Sequence, residues 1–355
     1  MFVAWSDLRV AKGRFTLIGV VVTLITVLVT FLSGLTGGLV QQNISALTSL
    51  DTDRIAFSVP EGEPVTYADS AVTEAQAATW ARQDGVRSVD PLGISTAKVS
   101  AGDRQATVTL FGGGPASGTD VPPAPGRVAI TADTAESLDL EAGDQLRIGD
   151  ASFVVDSAEG DAWYSHMPVV RLDLRDWQEI TARNGAQAPF ATVLAVSAEG
   201  ADFTRADGAA GTSSEGLLTS LTALGSFKSE IGSLLLMVVM LFGISALVVG
   251  AFFTVWSLQR RPDVAVLKAL GATNRMLTVD ALGQAGVLLL VGVTAGITLT
   301  ALLGALAGTA LPFVLTPVTT LLPGAIMTGL GLAGAGIATR SITHVDPLTA
   351  LGSNR

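Results

Sequence analysis

Three stretches of this chain carry no charged side chain: Phe15 to Val40 over 26 residues, Ile231 to Leu258 over 28, and Ala281 to Thr339 over 59. A helix that crosses the hydrocarbon of a bilayer needs about 20 apolar residues. The first two runs therefore predict one span each. The third is long enough for two, with Pro312, Pro317 and Pro323 marking the break. The expected spans are 15–40, 231–258, 281–310 and 321–339, with a short outer turn at 311–320. Arg9, Lys12 and Arg14 precede the first run as they precede a signal peptide. A signal peptide's apolar core is only about 7–15 residues, so the first run reads as an uncleaved anchor.

Basic residues mark the cytoplasmic side of a membrane protein. They stand in the amphipathic N-terminal segment 1–14, in 259–280 (Arg260, Arg261, Lys268, Arg275) and in the tail 340–355 (Arg340, Arg355). Both termini and the 259–280 segment are thus expected inside, in a multi-pass protein of a bacterial cell membrane. Residues 41–229 hold 26 acids and 12 bases, a balance of −14, against 5 acids and 9 bases, or +4, elsewhere. An acidic outer domain offers no basic face for nucleic acid. The absence of cysteine excludes disulfides and metal thiolates.

The outer block reads as α+β, in one or two subdomains. Arg54 to Val59 is strand-like, and Thr73 to Gln83 is helical. Ile94–Ser100 and Gln105–Phe111 form a hairpin around Gly102. A short strand at Val128–Ile130 leads into a helix near Asp133–Leu138. Strands Gln145–Ile148 and Ser152–Asp156 then pair, and Ala191–Val196 is the last clear strand. The Gly112-Gly113-Gly114-Pro115 run reads as a loop, and residues 198–216 read as a loop or linker into the second span.

The usual enzyme signatures are missing. No lysine follows a glycine, so no Walker A loop exists, and no Gly-x-Ser-x-Gly elbow occurs. His166 and His344 are expected on opposite sides of the membrane. ATP, if used, is bound by another chain, and no covalently bound cofactor or metal is expected. Gly34/Gly38, Gly292/Gly296 and Gly304/Gly308 are four-residue glycine pairs suited to close helix packing, a homodimer seam included. At the outer edge of span two, Phe227, Glu230, Leu234, Met237 and Leu241 share a helical face, with Met240 beside it. A membrane-edge carboxylate near thioethers suits a lipophilic ligand or haem iron. The plain alternative is a solvated carboxylate with methionines as packing filler.

The segment Arg260-Arg261-Pro262-Asp263-Val264-Ala265-Val266-Leu267-Lys268-Ala269-Leu270-Gly271-Ala272 is a short charged amphipathic patch between two spans. It resembles the Arg-x-x-Glu-Ile-x-x-Leu-Arg-Ala-Leu-Gly-Ala coupling motif of FtsX-like, MacB-type permeases of ABC exporters, with Asp263 for Glu and Lys268 for Arg. Val345-Asp346-Pro347-Leu348-Thr349-Ala350-Leu351 resembles that family's closing Asp-Pro-x-x-Ala-Leu motif. Leu138-Asp139-Leu140-Glu141-Ala142-Gly143-Asp144 is similar to its Gly-Asp turn. The resemblance implies an α-helical membrane protein: four transmembrane helices, with a large α+β extracytoplasmic domain between helices 1 and 2. It implies a second copy of the chain and a cytoplasmic ATPase dimer whose ATP-driven closure pulls on Arg260, Arg261, Asp263, Lys268 and the apolar contacts Val264, Val266, Leu267 and Leu270.

Among compact members, the haem-exporter permeases of Gram-positive bacteria are similar in size and layout. Haem or another lipophilic or amphipathic substrate is therefore expected, with Phe227, Glu230, Met237 and Met240 as candidate contacts. Other members carry nothing and switch an extracellular cell-wall hydrolase, which is the alternative function.

Overall fold

The computed structural model describes residues 12–60, 62–114, 123–183, 189–307 and 311–343. The chain divides into two compact units, one spanning Leu39–Gly232 and the other built from the segments before and after it.

The first unit is organised by a mixed sheet. After the last turns of helix α1 (Lys12–Thr48) come β1 (Arg54–Phe57) and the short helix α2 (Glu74–Trp80). Thr73 and Gln76 cap α2 reciprocally, each side chain accepting from the other's backbone N–H. Strands β2 (Val86–Ala101), β3 (Arg104–Gly113) and β4 (Arg127–Ile130) follow, then α3 (Ala132–Leu138). Next are β5 (Gln145–Ile148), β6 (Ala151–Ala158), β7 (Trp163–Tyr164), β8 (Met167–Leu172) and α4 (Leu174–Arg183). The unit closes with β9 (Val193–Ala198), α5 (Phe203–Ala210), β10 (Ser213–Gly216) and α6 (Leu217–Ser220).

The strands run in the order β10-β1-β9-β2-β3-β8-β4-β6-β5, and β5 returns to pair with β2 at Val99↔Ile148 and Ser100↔Arg147. Six strands thus close a ring. The long β2 serves both parts: its start pairs with β9, and its end pairs with β5. The inside of the ring is filled by Val99, Val108, Leu110, Ile130, Leu146 and Val170 among others. A second cluster packs Ile55, Phe57, Tyr67, Leu92, Phe111 and Tyr164 against Ala46, Leu47 and Leu50 at the end of α1. A third lies around Trp80, Leu194, Val196 and Ala206.

Several sequence expectations change here. Residues 198–216 are not a linker; they hold α5 and β10. Asp202 caps α5, and Asp207 fastens the segment by accepting from Ser214 N and Oγ and from Thr212 Oγ1. Strand β8 and helix α4 lie in a stretch, 157–190, that the sequence reading leaves unassigned, because Pro168 and Arg171 break the apolar pattern of β8. Gly112 and Gly113 belong to β3 rather than to a loop. Gly93 and Gly112 face each other across β2 and β3 and form a bare window on which Trp177 of α4 lies. A Cβ on Gly93 would come within 2.3 Å of the indole, and one on Gly112 within 2.2 Å of the Trp177 Cβ. The fully buried indole donates to Ser95 Oγ at 2.9 Å.

The second unit contains four helices long and apolar enough to cross a membrane: α1, α7 (Gly225–Gln259), α9 (Asn274–Ala307) and α10 (Pro317–Thr343), with the short α8 (Arg261–Ala269) between α7 and α9. They extend past the predicted charge-free limits because helical hydrogen bonding continues through polar flanks. Pro317 opens α10 at its first position, where its missing N–H has no partner to lose. Pro323 lies inside α10 and does not end it.

Small residues govern the packing. Built Cβ atoms on Gly292 and Gly296 of α9 would fall 2.7 Å from Val22 and 2.6 Å from Thr26 of α1. Thr30 and Thr300 share a buried hydrogen bond of 2.7 Å. The ring of Phe313, in the α9–α10 connection, fills the space over both Gly34 and Gly304, and Val314 N donates to Gly34 O. These glycines are occupied by the chain's own helices, so they do not provide the homodimer seam expected of them. Gly308 lies outside the described residues.

Gly112→Ala places a methyl group inside the Trp177 contact and should destabilise the first unit by about 1–3 kcal/mol. Denaturation of the purified full chain, followed by tryptophan emission, measures the loss; an unchanged midpoint would count against the glycine window.

Candidate functional site

Strands β7 and β8 are joined by a two-residue turn in which Ser165 and His166 both have positive φ, 50° and 62°. That is the pattern of a type I′ hairpin turn, which usually uses Asn-Gly. For side chains with a Cβ the left-handed region costs roughly 1–2 kcal/mol per residue. The turn is held by α1: Ser165 N donates to Asn43 O and His166 N to Gln42 O, each at 2.9 Å.

The same contact brings a polar cluster together. Asn43, 1% exposed, accepts from Ser226 Oγ at 2.8 Å and donates from Nδ2 to Glu230 Oε2 at 3.1 Å. His166 Nε2 lies 3.0 Å from both Glu230 oxygens, and Ser165 Oγ donates to Ser226 Oγ. With its proton on Nε2, the imidazole donates to the carboxylate. The side chains of His166 and Glu230 are 32% and 40% exposed. A pair this open, even if charged, stabilises a fold by only about 0–1 kcal/mol, so its value lies in presenting an imidazole and a carboxylate side by side to solvent. Behind it, burial pushes the phenols of Tyr164 and Tyr67 well above the ordinary range, although a hydrogen bond to Ser220 lowers that of Tyr67. Neither tyrosine is poised to supply a phenolate. Among the described residues no three His, Asp or Glu side chains converge as a metal site.

Glu230 is therefore a hydrogen-bonded member of a cluster, not a merely solvated carboxylate. Phe227 packs against the core that contains Tyr67 and Leu224. Met237 and Met240, 48% and 57% exposed, stand on α7 in the second unit. Asn43, Ser165, Ser226 and His166 are absent from the sequence-level candidates. In the sequence His166 has only His344 as a histidine partner, expected across the membrane and outside the described residues, and Asn43 is an ordinary polar residue beyond an apolar run.

The patch between α7 and α9 is α8, with Pro262 in its first turn. Its apolar residues divide. Val264 and Leu267 turn inward and line a cavity of about 40 Å³ with Trp256, Leu277 and Thr339. Val266 and Leu270, 53% and 80% exposed, face outward. Val264 and Leu267 thus pack, at least in part, on the chain's own helices. Arg260 stacks over Trp256 at 5.2 Å and donates to Gln284 Oε1, so it is tied to the helices. Lys268 is half-buried. The side chains of Arg261 and Asp263, and the closing motif at 345–351, lie outside the described residues.

The Leu270-Gly271-Ala272 ending of this segment has a physical cause. Gly271 has φ 96°, Ala272 N donates to Leu267 O, and Gly271 N donates to Lys268 O. That is the Schellman arrangement, in which a left-handed residue satisfies the last carbonyls of a helix. Thr273 Oγ1 then accepts from Met276 N and starts α9.

Residues 235–347 match the FtsX-like permease C-terminal family. Over that stretch the chain is similar to FtsX-like permeases; among the described residues four helices are long and apolar enough to cross a membrane, with an α+β domain between the first and second. It is 25% identical to a putative hemin transport system permease protein HrtB of Staphylococcus haemolyticus, over 99% of each chain. It is 26% identical to an uncharacterized ABC transporter permease of Mycobacterium tuberculosis, again over 99% of each. The extracellular domain of the ABC-type transporter YknZ from Gram-positive bacteria aligns with 47% of this chain and 99% of its own, at 15% identity and a TM-score of 0.34.

Gly271→Val puts a β-branched residue at φ 96° and should cost about 1–3 kcal/mol, read as a lower melting temperature of the detergent-solubilised protein. Gly271→Asn, which tolerates the left-handed region, should lose much less. Equal losses would refute the capping role.

Proposed function

We propose that this permease is the membrane subunit of an ABC-type exporter. A separate ATPase dimer docks on the cytoplasmic segment that holds α8, two copies of the chain assemble, and a lipophilic or amphipathic substrate leaves the membrane, with haem as the leading candidate. Both termini lie inside and the domain between spans one and two lies outside, in a bacterial cell membrane. The observation that carries the haem assignment is the His166–Glu230 pair: imidazole is a common haem-iron ligand, and thioethers are another. Helix α7 carries Phe227, Glu230, Met237 and Met240 in order along its length. The Staphylococcus relatives named as hemin permeases, alignable from end to end, support the same reading.

For coupling, the outward face of α8 is the proposed contact. Val266 and Leu270 present apolar surface to the ATPase, with Asp263 and Arg261 supplying charge, while Val264, Leu267 and Arg260 hold the helix against its own spans.

A visible-absorption titration of the purified protein with haemin tests the substrate. Saturable Soret shifts are expected, weakened by His166→Ala, Glu230→Gln or the double variant Met237→Ala/Met240→Ala. Featureless partitioning, unchanged by these variants, would remove haem and favour a peptide or lipid substrate, or control of an extracellular hydrolase. Coupling is tested separately. Leu270→Glu should lower permease-stimulated ATPase activity about tenfold or more without lowering the melting temperature, whereas Val264→Glu should lower the melting temperature. Undiminished stimulation by the Leu270 variant would refute the docking face.

A further inference from the structure

Gln284 is a buried polar side chain on the inward face of α9, where its neighbours are Leu277, Ala285, Leu288 and Leu289. It is 2% exposed, and its carboxamide is bonded at both ends. Oε1 accepts from Arg260 Nη1, and Nε2 donates to Asp280 Oδ2, one turn earlier on α9, at 3.0 Å. The reverse orientation would aim the amino group at a guanidinium and the oxygen at a carboxylate, so the partners fix the amide. An amide thus joins a cation on one element to an acid on another.

Arg260 stands at the junction of α7 and α8. Its N–H donates to Ser257 O, and its carbonyl accepts from Val264 N in the first turn of α8. Its guanidinium lies 5.2 Å from the Trp256 ring. That indole packs edge-on against Phe253 at 5.9 Å and against Phe15 of α1 at 6.3 Å. Helices α1, α7, α8 and α9 therefore meet around one side chain.

Packing alone does not call for a glutamine here. Leucine has a similar volume, and exchanging buried polar groups for apolar ones of the same shape is often nearly neutral for stability. Leucine cannot hold a guanidinium at one place, whereas hydrogen bonds to charged groups are strong and directional. The apolar contacts of Val264 and Leu267 beneath α8 are non-directional and permit sliding. At its far end α8 stops at Gly271, whose φ of 96° makes a natural pivot.

We infer that Gln284 and Asp280 are positioning residues for α8: they fix Arg260 and so make α8 move as one body with α9, α7 and α1. Its consequence for transport rests on the reading of α8 as the ATPase contact. A push on Val266 and Leu270 is then passed to the spans instead of being absorbed by rocking of α8 about Gly271.

Hydrogen exchange of the full chain in phosphatidylcholine nanodiscs, without any ATPase, tests the positioning. Gln284→Leu should speed exchange of the α8 amides about tenfold, with the melting temperature and the exchange of α9 unchanged. Gln284→Glu still accepts from Arg260 but sets like charge against Asp280, and should speed α8 exchange as well. The double variant Gln284→Glu/Asp280→Asn exchanges acid and amide within the relay and should restore slow exchange. Unaltered α8 exchange in the single variants would overturn the inference, as would failure of the double variant to restore it. A lower melting temperature with faster exchange throughout α9 in Gln284→Leu would also overturn it, since the side chain would then be ordinary core. With a partner ATPase, Gln284→Leu should lower maximal stimulation about tenfold at an unchanged half-saturating concentration, whereas Leu270→Glu should raise that concentration. Full stimulation by Gln284→Leu would refute the consequence for coupling. A wild-type chain that stimulates no ATPase would sink the exporter reading and leave the exchange result standing.

Discussion

Hydrocarbon offers no hydrogen-bond partner to a peptide group, and the rest of the structure follows from that. Every backbone group inside the bilayer must bond within its own segment, so the apolar runs become long helices. Lipid also removes the usual reason for helices to associate, since tails are as apolar as leucine. Close approach replaces it. Val22 and Thr26 sit directly on Gly292 and Gly296, where any side chain would collide. Thr30 and Thr300 add a hydrogen bond where no water competes. Phe313 uses Gly34 and Gly304 together, which fixes the α9–α10 connection on α1.

In the domain between spans one and two, water is the solvent and burial drives packing. A single long strand, β2, is shared between the closed ring and the β10-β1-β9 edge, so the two parts cannot separate without breaking its pairing. Trp177 lies on the Gly93–Gly112 window and secures α4 to that strand. Strand β8, at the centre of the sheet, begins at the strained Ser165–His166 turn. The carbonyls of Gln42 and Asn43 meet that strain with two backbone hydrogen bonds, and the Asn43 side chain arranges Glu230 and Ser226 around the imidazole. Strain of this kind persists only where the surroundings over-determine it.

The segment after α7 shows why a motif and its geometry are different kinds of information. Its residue types, two arginines, a proline, an acid and an apolar run ending in Leu-Gly-Ala, were readable as a short charged amphipathic patch. Which apolar residues face outward was not. Val264 and Val266 are two apart and chemically identical, yet one lines a cavity under α8 and the other is half exposed. That choice depends on where Trp256 and Leu277 stand, and no local pattern contains it. The same limit applies to Asn43, an ordinary polar residue after an apolar run. Only the meeting of α1, the β7–β8 turn and α7 makes it the hub of the cluster.

By itself the sequence determined the number and approximate place of the four apolar helices, the acidic α+β block between the first two, and the location of the patch between the second and third. Those follow from charge-free length, composition and local turn chemistry, which act within a few residues. Tertiary structure alone decided the ring closure of β2 onto β5, the strand nature of Gly112, the order in 198–216, and the pairing of His166 with Glu230. Each joins residues far apart along the chain, where packing and backbone hydrogen bonding outweigh local propensity.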